Sequence, residues 1–148
     1  MAKSAVHAEI PAPLEAHSRY LIASAIEGRD ALFLAELAGS KATVQLLHVA
    51  RDGPRANHLA ELVRFFAPGL EVVVLPAWDC LPYDRVSPNQ DVMAERLDAL
   101  ARLLDDRRRG RAPRLVLTTV NALLQKLPAP EVVRSGLFAA AAGERIDR

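Results

Sequence analysis

The sequence predicts an α/β fold, a parallel sheet wrapped by helices, and three observations carry that expectation. Three short apolar runs rich in β-branched residues, at 42–50 (ATVQLLHVA), 70–75 (LEVVVL) and 114–120 (RLVLTTV), have the composition of strands. Segments with apolar residues at three- and four-residue spacing separate them. LEVVVL is apolar except for Glu71, as a strand covered by helices on both faces tends to be. Strands alternating with amphipathic helices define the α/β class.

Each element follows in order. Residues 1–13 hold Pro11 and Pro13 with little periodicity and read as a mobile N-terminal arm. From Leu14 to Ile26 the pattern fits a helix through Leu14, His17, Leu21 and Ala25, or a short strand through Tyr20-Leu21-Ile22. Arg29 to Ala38 predicts a short helix with Gly39 as its C-cap. The strand at 42–50 runs into Asp52-Gly53-Pro54, where a turn and a proline at the first helical position open a helix to Ala67. Its apolar face is Ala56, Leu59, Leu62, Val63 and Phe66, and Pro68-Gly69 stops it before the strand at 70–75. The resulting β-α-β unit is expected to cross over right-handedly.

A proline-rich aromatic loop, PAWDCLPYDRVS, occupies 76–87. Ser87, Pro88 and Gln90 have the spacing of a capping box, with an N-cap serine, a proline at N1 and a glutamine at N3. The helix that follows carries Met93, Leu97, Leu100 and Leu104 as its apolar stripe and ends in the arginine run. After the strand at 114–120, Asn121 is placed to cap a short helix through Lys126, which Pro128 and Pro130 end. Leu137 to Ala141 resembles one more strand. The chain thus divides into the arm at 1–13, an α/β domain at 14–135 and, at 136–148, the truncated start of a following domain. That last reading makes the chain a fragment of a longer protein.

Composition narrows the function classes. At 148 residues, 51% hydrophobic and 25% charged, the chain is an ordinary globular domain, large enough to bury roughly 68–70% of its unfolded surface. One cysteine, Cys80, makes no internal disulfide, and His7, His17, His48 and His58 have no metal-ligand spacing. The start lacks the apolar core of a secretory signal and no run approaches the ~18 apolar residues of a membrane span, so a cytoplasmic location is expected. A net charge of +1 argues against a dedicated nucleic-acid-binding domain.

Chemistry-bearing residues are few. A nucleotide-binding α/β fold needs a glycine-rich loop, a lysine and a Ser or Thr between a strand and a helix. The equivalent stretch, Ala25 to Asp30, has one glycine, no lysine and two carboxylates, and Gly39-Ser40-Lys41 follows a helix rather than a strand. ATP binding is not expected. Cys80 beside Asp79 has no histidine nearby to activate its thiol, which reads instead as a small buried side chain next to Trp78. No catalytic, cofactor or metal residue is assigned. Two groups suit weak nucleic-acid contact: the run from Arg107 to Arg114, with Arg107, Arg108, Arg109 and Arg111 as phosphate partners, and Trp78 with Tyr83 as stacking platforms. The plainer readings are a solvated helix C-terminus and a loop pinned to the sheet.

The stretch from Pro76 to Leu100 resembles the N-terminal region of the bacterial transcription-repair coupling factors, with their signature W-[DE]-x-L-P-Y-[DE]-x-x-S-P-x-x-[DE] and a following arginine-leucine pair. Trp78, Asp79, Leu81, Pro82, Tyr83, Asp84, Ser87, Pro88, Asp91, Arg96 and Leu97 match it position by position. Leu115 to Pro128 is similar to the family's next strand and helix, and Gly143 to Ile146 to the opening of its following domain. The resemblance implies a degenerate relative of the P-loop NTPase fold, like the first domain of the repair protein UvrB, without its phosphate loop and DNA-clamping hairpin. It also implies a non-catalytic scaffold within an ATP-dependent DNA translocase, supporting UvrA recruitment and autoregulation in transcription-coupled nucleotide excision repair. The implied partners are the remaining domains of the same protein and, for the whole protein, UvrA, RNA polymerase and DNA, with self-association expected of the isolated fragment.

Overall fold

Burial on both faces decides which strand sits in the middle of the sheet. In the computed structural model, which describes residues 19–22, 26, 28–40, 45–80, 85, 87–104 and 114–137, the strands are β1 (Gln45–Ala50), β2 (Glu71–Leu75) and β3 (Arg114–Thr119). Their order is β1-β3-β2, all parallel. β3 is buried along most of its length, whereas β1 alternates with exposed positions. The last strand in sequence therefore inserts between the two strands of the β-α-β unit. LEVVVL is covered on both faces as read, with Val72 in one core cluster and Val73 and Leu75 in the other, although its strand occupies a sheet edge.

Helices α1 (Arg29–Gly39) and α2 (Gly53–Phe66) cover one face. Ala31, Leu34, Leu59, Ala60 and Val63 pack there on Val72, Leu115 and Leu117. Helices α3 (Gln90–Leu104) and α5 (Pro130–Gly136) cover the other, where Ala99, Leu100 and Val133 pack on Val73 and Leu75. The pairs Val72↔Leu115 and Val73↔Val116 show the period-two alternation that sends neighbouring residues to opposite faces. Thr118, fully buried, satisfies its hydroxyl by donating to the Leu75 carbonyl at 3.0 Å. A one-turn helix, α4 (Val120–Leu124), leaves the end of β3.

Helix boundaries differ from the sequence reading in ways that hydrogen bonding explains. Gly39 belongs to α1 and Ser40 is the C-cap. Its backbone is extended and its N–H donates to Glu36 and Leu37 carbonyls, so no left-handed glycine is needed. Helix α3 starts three residues after Ser87. Asn89 caps it: its carbonyl accepts from Met93 N–H at 3.0 Å, and its Oδ1 accepts from Asp91 N–H at 2.9 Å. Thr119, not Asn121, caps α4, accepting from Ala122 N–H at 3.3 Å. Pro130, read as a stop, starts α5 at its first turn, where a missing N–H costs nothing.

The buried stripe of α3 is also rotated. Arg96, Ala99 and Leu100 are buried, with Leu103 and Leu104 packed partly against the same cluster, while Met93 is 39% and Leu97 49% exposed. A buried charge set lies at the start of the sheet. Glu71 is held between Arg114 Nε at 2.9 Å and Arg102 Nε at 3.5 Å, and Arg102 also donates to the Val72 carbonyl at 3.2 Å. The expected arm at 1–13 falls outside the described residues, as does the expected strand at 137–141 except for Leu137; of the segment 14–26, read as a helix or a strand, the described residues 19–22 and 26 form neither.

Candidate functional site

The aromatic loop begins where β2 ends, and its first residues are tied to α3 and to the end of α4. Trp78 is half-buried, and its N–H donates to Gln125 Oε1 at 2.9 Å, just past α4. The Arg96 guanidinium lies 4.7 Å from the centre of its ring, within cation–π range. Arg96 is 1% exposed and donates to the carbonyl of Pro76, the first residue of the loop. Asp79 accepts from Asn89 N–H with both oxygens at 3.2 Å, joining the loop's entry to the cap of α3. Pro76, Trp78 and Asp79 are thus all held by residues of 89–125.

Arg96 is the unusual group in this arrangement. Burial pushes its guanidinium below its ordinary value. Among the described residues no acceptor reaches its buried Nη2. Among the described residues the charge meets a π face and one carbonyl and no carboxylate, which suits arginine, since it stays protonated and is weakly hydrated. The signature match included Arg96, but its burial was not foreseen. The legible signal was an arginine at the same three- and four-residue spacing as Ala99, Leu100 and Leu103. Gln125 left no sequence signal, because a glutamine after a short helix is commonplace.

Of the loop residues matched to the signature, Leu81, Pro82, Tyr83 and Asp84 lie outside the described residues. Ser87 is exposed and Pro88 half-buried. Cys80, expected to be buried, is half-buried with a free thiol. It follows the residues that the sheet and Arg96 grip, so less of the chain covers it. Arg107, Arg108, Arg109 and Arg111 also lie outside the described residues, whereas Arg114, the last arginine of the run, is buried at the start of β3 and paired with Glu71 at 2.9 Å, which takes it out of the expected phosphate contacts.

At the start of α1, where a phosphate-binding loop would stand, the polar groups bond to one another. Gly28 has a φ of 84°, a left-handed turn that glycine takes without strain, and Arg29 N–H closes it onto the Ile26 carbonyl at 3.0 Å. Asp30 Oδ1 accepts from Ala31 N–H at 2.9 Å, and Asp30 Oδ2 pairs with Arg55 from α2 at 2.5 Å. Asp52 caps α2 by accepting from Arg55 N–H at 2.8 Å. That bond, with the Arg51 side chain, holds its carboxyl below the usual carboxylate range. His48 faces this pair from β1. Burial lowers its imidazole below the ordinary value, Asp30 pulls it upward and Arg55 downward.

Among the described residues no group of His, Cys, Asp and Glu side chains is arranged to hold a metal ion. No helix among them is long and apolar enough to cross a membrane.

The architecture defines a parallel α/β domain in which the entry of the aromatic loop, Pro76 to Asp79, is tied to the helix after it. No family model matches the sequence. Individual proteins do. The chain is similar to the transcription-repair-coupling factor of Haemophilus influenzae, 25% identical over 134 residues that cover 90% of this chain and 11% of that protein. It is 38% identical to that of Myxococcus xanthus over 109 residues, 70% of this chain and 9% of the other. With that of Escherichia coli the identity is 28% over 136 residues, 92% of this chain and 11% of the other. The chain is homologous to the transcription-repair-coupling factors over most of its length, and it spans about a tenth of the length of the curated relatives it matches.

Proposed function

We propose that this domain is a non-catalytic scaffold of a transcription-repair-coupling factor, a degenerate relative of the first UvrB domain that serves transcription-coupled nucleotide excision repair without handling nucleotide. The observation that carries the reading is the Asp30–Arg55 ion pair at the start of α1. A helix N-terminus attracts phosphate through its free N–H groups and positive dipole end. Here Asp30 places a carboxylate against those groups, and the nearby arginine is engaged by it. A triphosphate entering this position would meet negative charge first. Homology supports the repair role, and the tethered loop entry at Pro76, Trp78 and Asp79 supports a rigid body on which neighbouring domains, including one that recruits UvrA, are held in check.

Calorimetric titration of this chain with Mg-ATP tests the first half. No binding is expected, and a dissociation constant below ~100 μM, more than about 5 kcal/mol of binding, would overturn it. For the second half, Arg96→Ala in a full-length coupling factor carrying this segment is expected to change UvrA capture and leave the KM for ATP unaltered. Unchanged UvrA capture would remove the scaffold role.

A further inference from the structure

Among the described residues strand β2 is a sheet edge, and its outward backbone groups are unevenly guarded. Arg102 donates to the Val72 carbonyl and Arg96 to the Pro76 carbonyl, both from α3. Alternation along a strand puts the N–H and C=O of Val74 on the same outer edge, midway between the two guarded carbonyls. Val74 lines a cleft of about 360 Å³ walled by α2 and α3. Elsewhere an unpaired edge invites another strand, and covering by charged side chains is a common defence. Among the described residues the guarding arginines stand on either side of Val74.

The walls of the cleft are polar in a directional way. Helix α2 reaches β2 through the short turn at 67–70, so Arg64 lies near the beginning of the strand and Glu61 one turn toward its end. Helix α3 also runs antiparallel to β2, since Arg102 meets Val72 and Arg96 meets Pro76. Glu95 and Asp98 therefore flank the later part of the strand, opposite Glu61. Arg102 is already engaged by Glu71 and Asp98. The cleft is thus acidic toward the end of β2, beside an edge peptide group oriented for pairing.

We propose that the cleft along the outer edge of β2 binds an extended peptide segment that hydrogen-bonds to the Val74 backbone and places a lysine or arginine between Glu61, Glu95 and Asp98. Main-chain pairing supplies the alignment and the charged pocket the choice of side chain, the usual division of labour when a peptide joins a sheet edge. From Val72 to Pro76 the strand spans only about 13 Å, so the pairing is short and the binding weak. This inference is independent of the scaffold reading and survives or fails without it.

The test uses this chain, isotopically labelled, and the capped peptide acetyl-Thr-Val-Lys-Val-Thr-amide followed by the backbone amide resonance of Val74. The expected result is a saturable shift of Val74, with a dissociation constant on the order of 1 mM for one paired residue and an exposed ion pair. Replacing the peptide's lysine by glutamate, or methylating its lysine amide nitrogen, is expected to weaken binding at least about fivefold, roughly the loss of one such contact. The double variant Glu61→Lys with Glu95→Lys, both exposed positions, is expected to reverse the preference toward the glutamate peptide. No Val74 shift at several times the ~1 mM scale, equal binding of the lysine and glutamate peptides, or equal binding of the methylated peptide would overturn the proposal. So would spermidine producing the same Val74 shift, since the site would then take any cation.

Discussion

Arg96 lies over Trp78, its guanidinium 4.7 Å from the ring centre, and its Nη1 donates to the carbonyl of Pro76 two residues earlier. One side chain therefore fixes both the end of β2 and the indole that follows it. Arg96→Ala opens a cavity, leaves the Pro76 carbonyl without its donor and removes the cation–π contact. A loss of about 2–4 kcal/mol is expected in urea unfolding. Arg96→Met keeps most of the volume and eliminates a desolvated charge, so its loss is expected to be smaller. Trp78 is the sole tryptophan, so its fluorescence reports locally: it is expected to shift to the red in Arg96→Ala. Equal destabilisation by Ala and Met would show that the charge, not the packing, does the holding.

Helix α3 depends on Asn89 for its first turn. Its side chain accepts from Asp91 N–H, and its own N–H is held by Asp79. Asn89→Ala is expected to cost roughly 1 kcal/mol, and Ser87→Ala to stay within about 0.5 kcal/mol. Thermal unfolding of both variants checks this. A larger loss at Ser87 would restore the capping box that the sequence suggests.

Element type was legible where periodicity was strong, and element ends were not. The runs 42–50, 70–75 and 114–120 matched strands because β-branched residues pack on a pleated surface. The order of those strands could not be read, because the pairing of β3 with both others depends on contacts about 43 and 69 residues apart in sequence. Three caps moved by one to two residues: at the starts of α3 and α4 serine, threonine and asparagine stand close together and only backbone geometry selects among them, and at the end of α1 an extended Ser40 takes the place of the expected glycine. The rotation of α3 had a specific cause. Leu97 and Met93 satisfied the apolar pattern, yet the core took Ala99 and Arg96, because a small residue lets the helix approach β2 and the arginine reaches the Pro76 carbonyl. At the candidate site, Trp78 and Asp79 were found by their pattern. Their partners Gln125 and Asn89 were not, because hydrogen bonds across 47 and 10 residues leave no local mark.

His48 makes stability depend on mild acid. Its folded value lies below 6.5 because burial disfavours the imidazolium, and Arg55 adds to that effect against Asp30. The unfolded chain binds the proton more readily. The contribution is therefore full above the unfolded value and is lost as pH falls through 6.5 toward the folded value. The midpoint of urea unfolding is expected to decline across that window, and His48→Gln to decline less. Parallel profiles for the two proteins would place the acid sensitivity elsewhere.

Nucleic-acid binding through the arginines at 107–111 and the Trp78 loop is expected to be weak and unspecific. Affinity for single-stranded DNA should fall with salt at a logarithmic slope of roughly −0.7 per phosphate contacted, and Arg108→Ala should reduce the slope by about one contact. Trp78 is covered on one face by Arg96, which leaves less of its ring for a base. Tight, salt-insensitive binding measured by fluorescence anisotropy would make the aromatic loop the primary contact.

The segment after β3 carries apolar side chains that its own helices do not cover. Leu124 is 80% and Val132 62% exposed, and Leu123, Leu127 and Leu137 are exposed as well. Helices α4 and α5 have only five and seven residues, and each buries a single side chain, Ala122 and Val133. Helices that short gain little from propensity and depend on packing, so exposed leucines on them cost solvation without adding stability. Scattered apolar residues are normal on a surface, but several within one eighteen-residue stretch, 120–137, exceed that pattern. This chain is therefore expected to self-associate as its concentration rises, with the apparent mass in sedimentation velocity moving from monomer toward dimer. Leu124→Glu together with Val132→Glu should abolish the shift while leaving the unfolding midpoint close to that of the parent, because neither side chain is buried in the monomer. A parent protein that stays monomeric at high concentration would show that these side chains lie too far apart to act as one surface. Dimerisation that persists in the double variant would assign the contact to another face, where Leu47 and Val49 of β1 are the next exposed apolar pair.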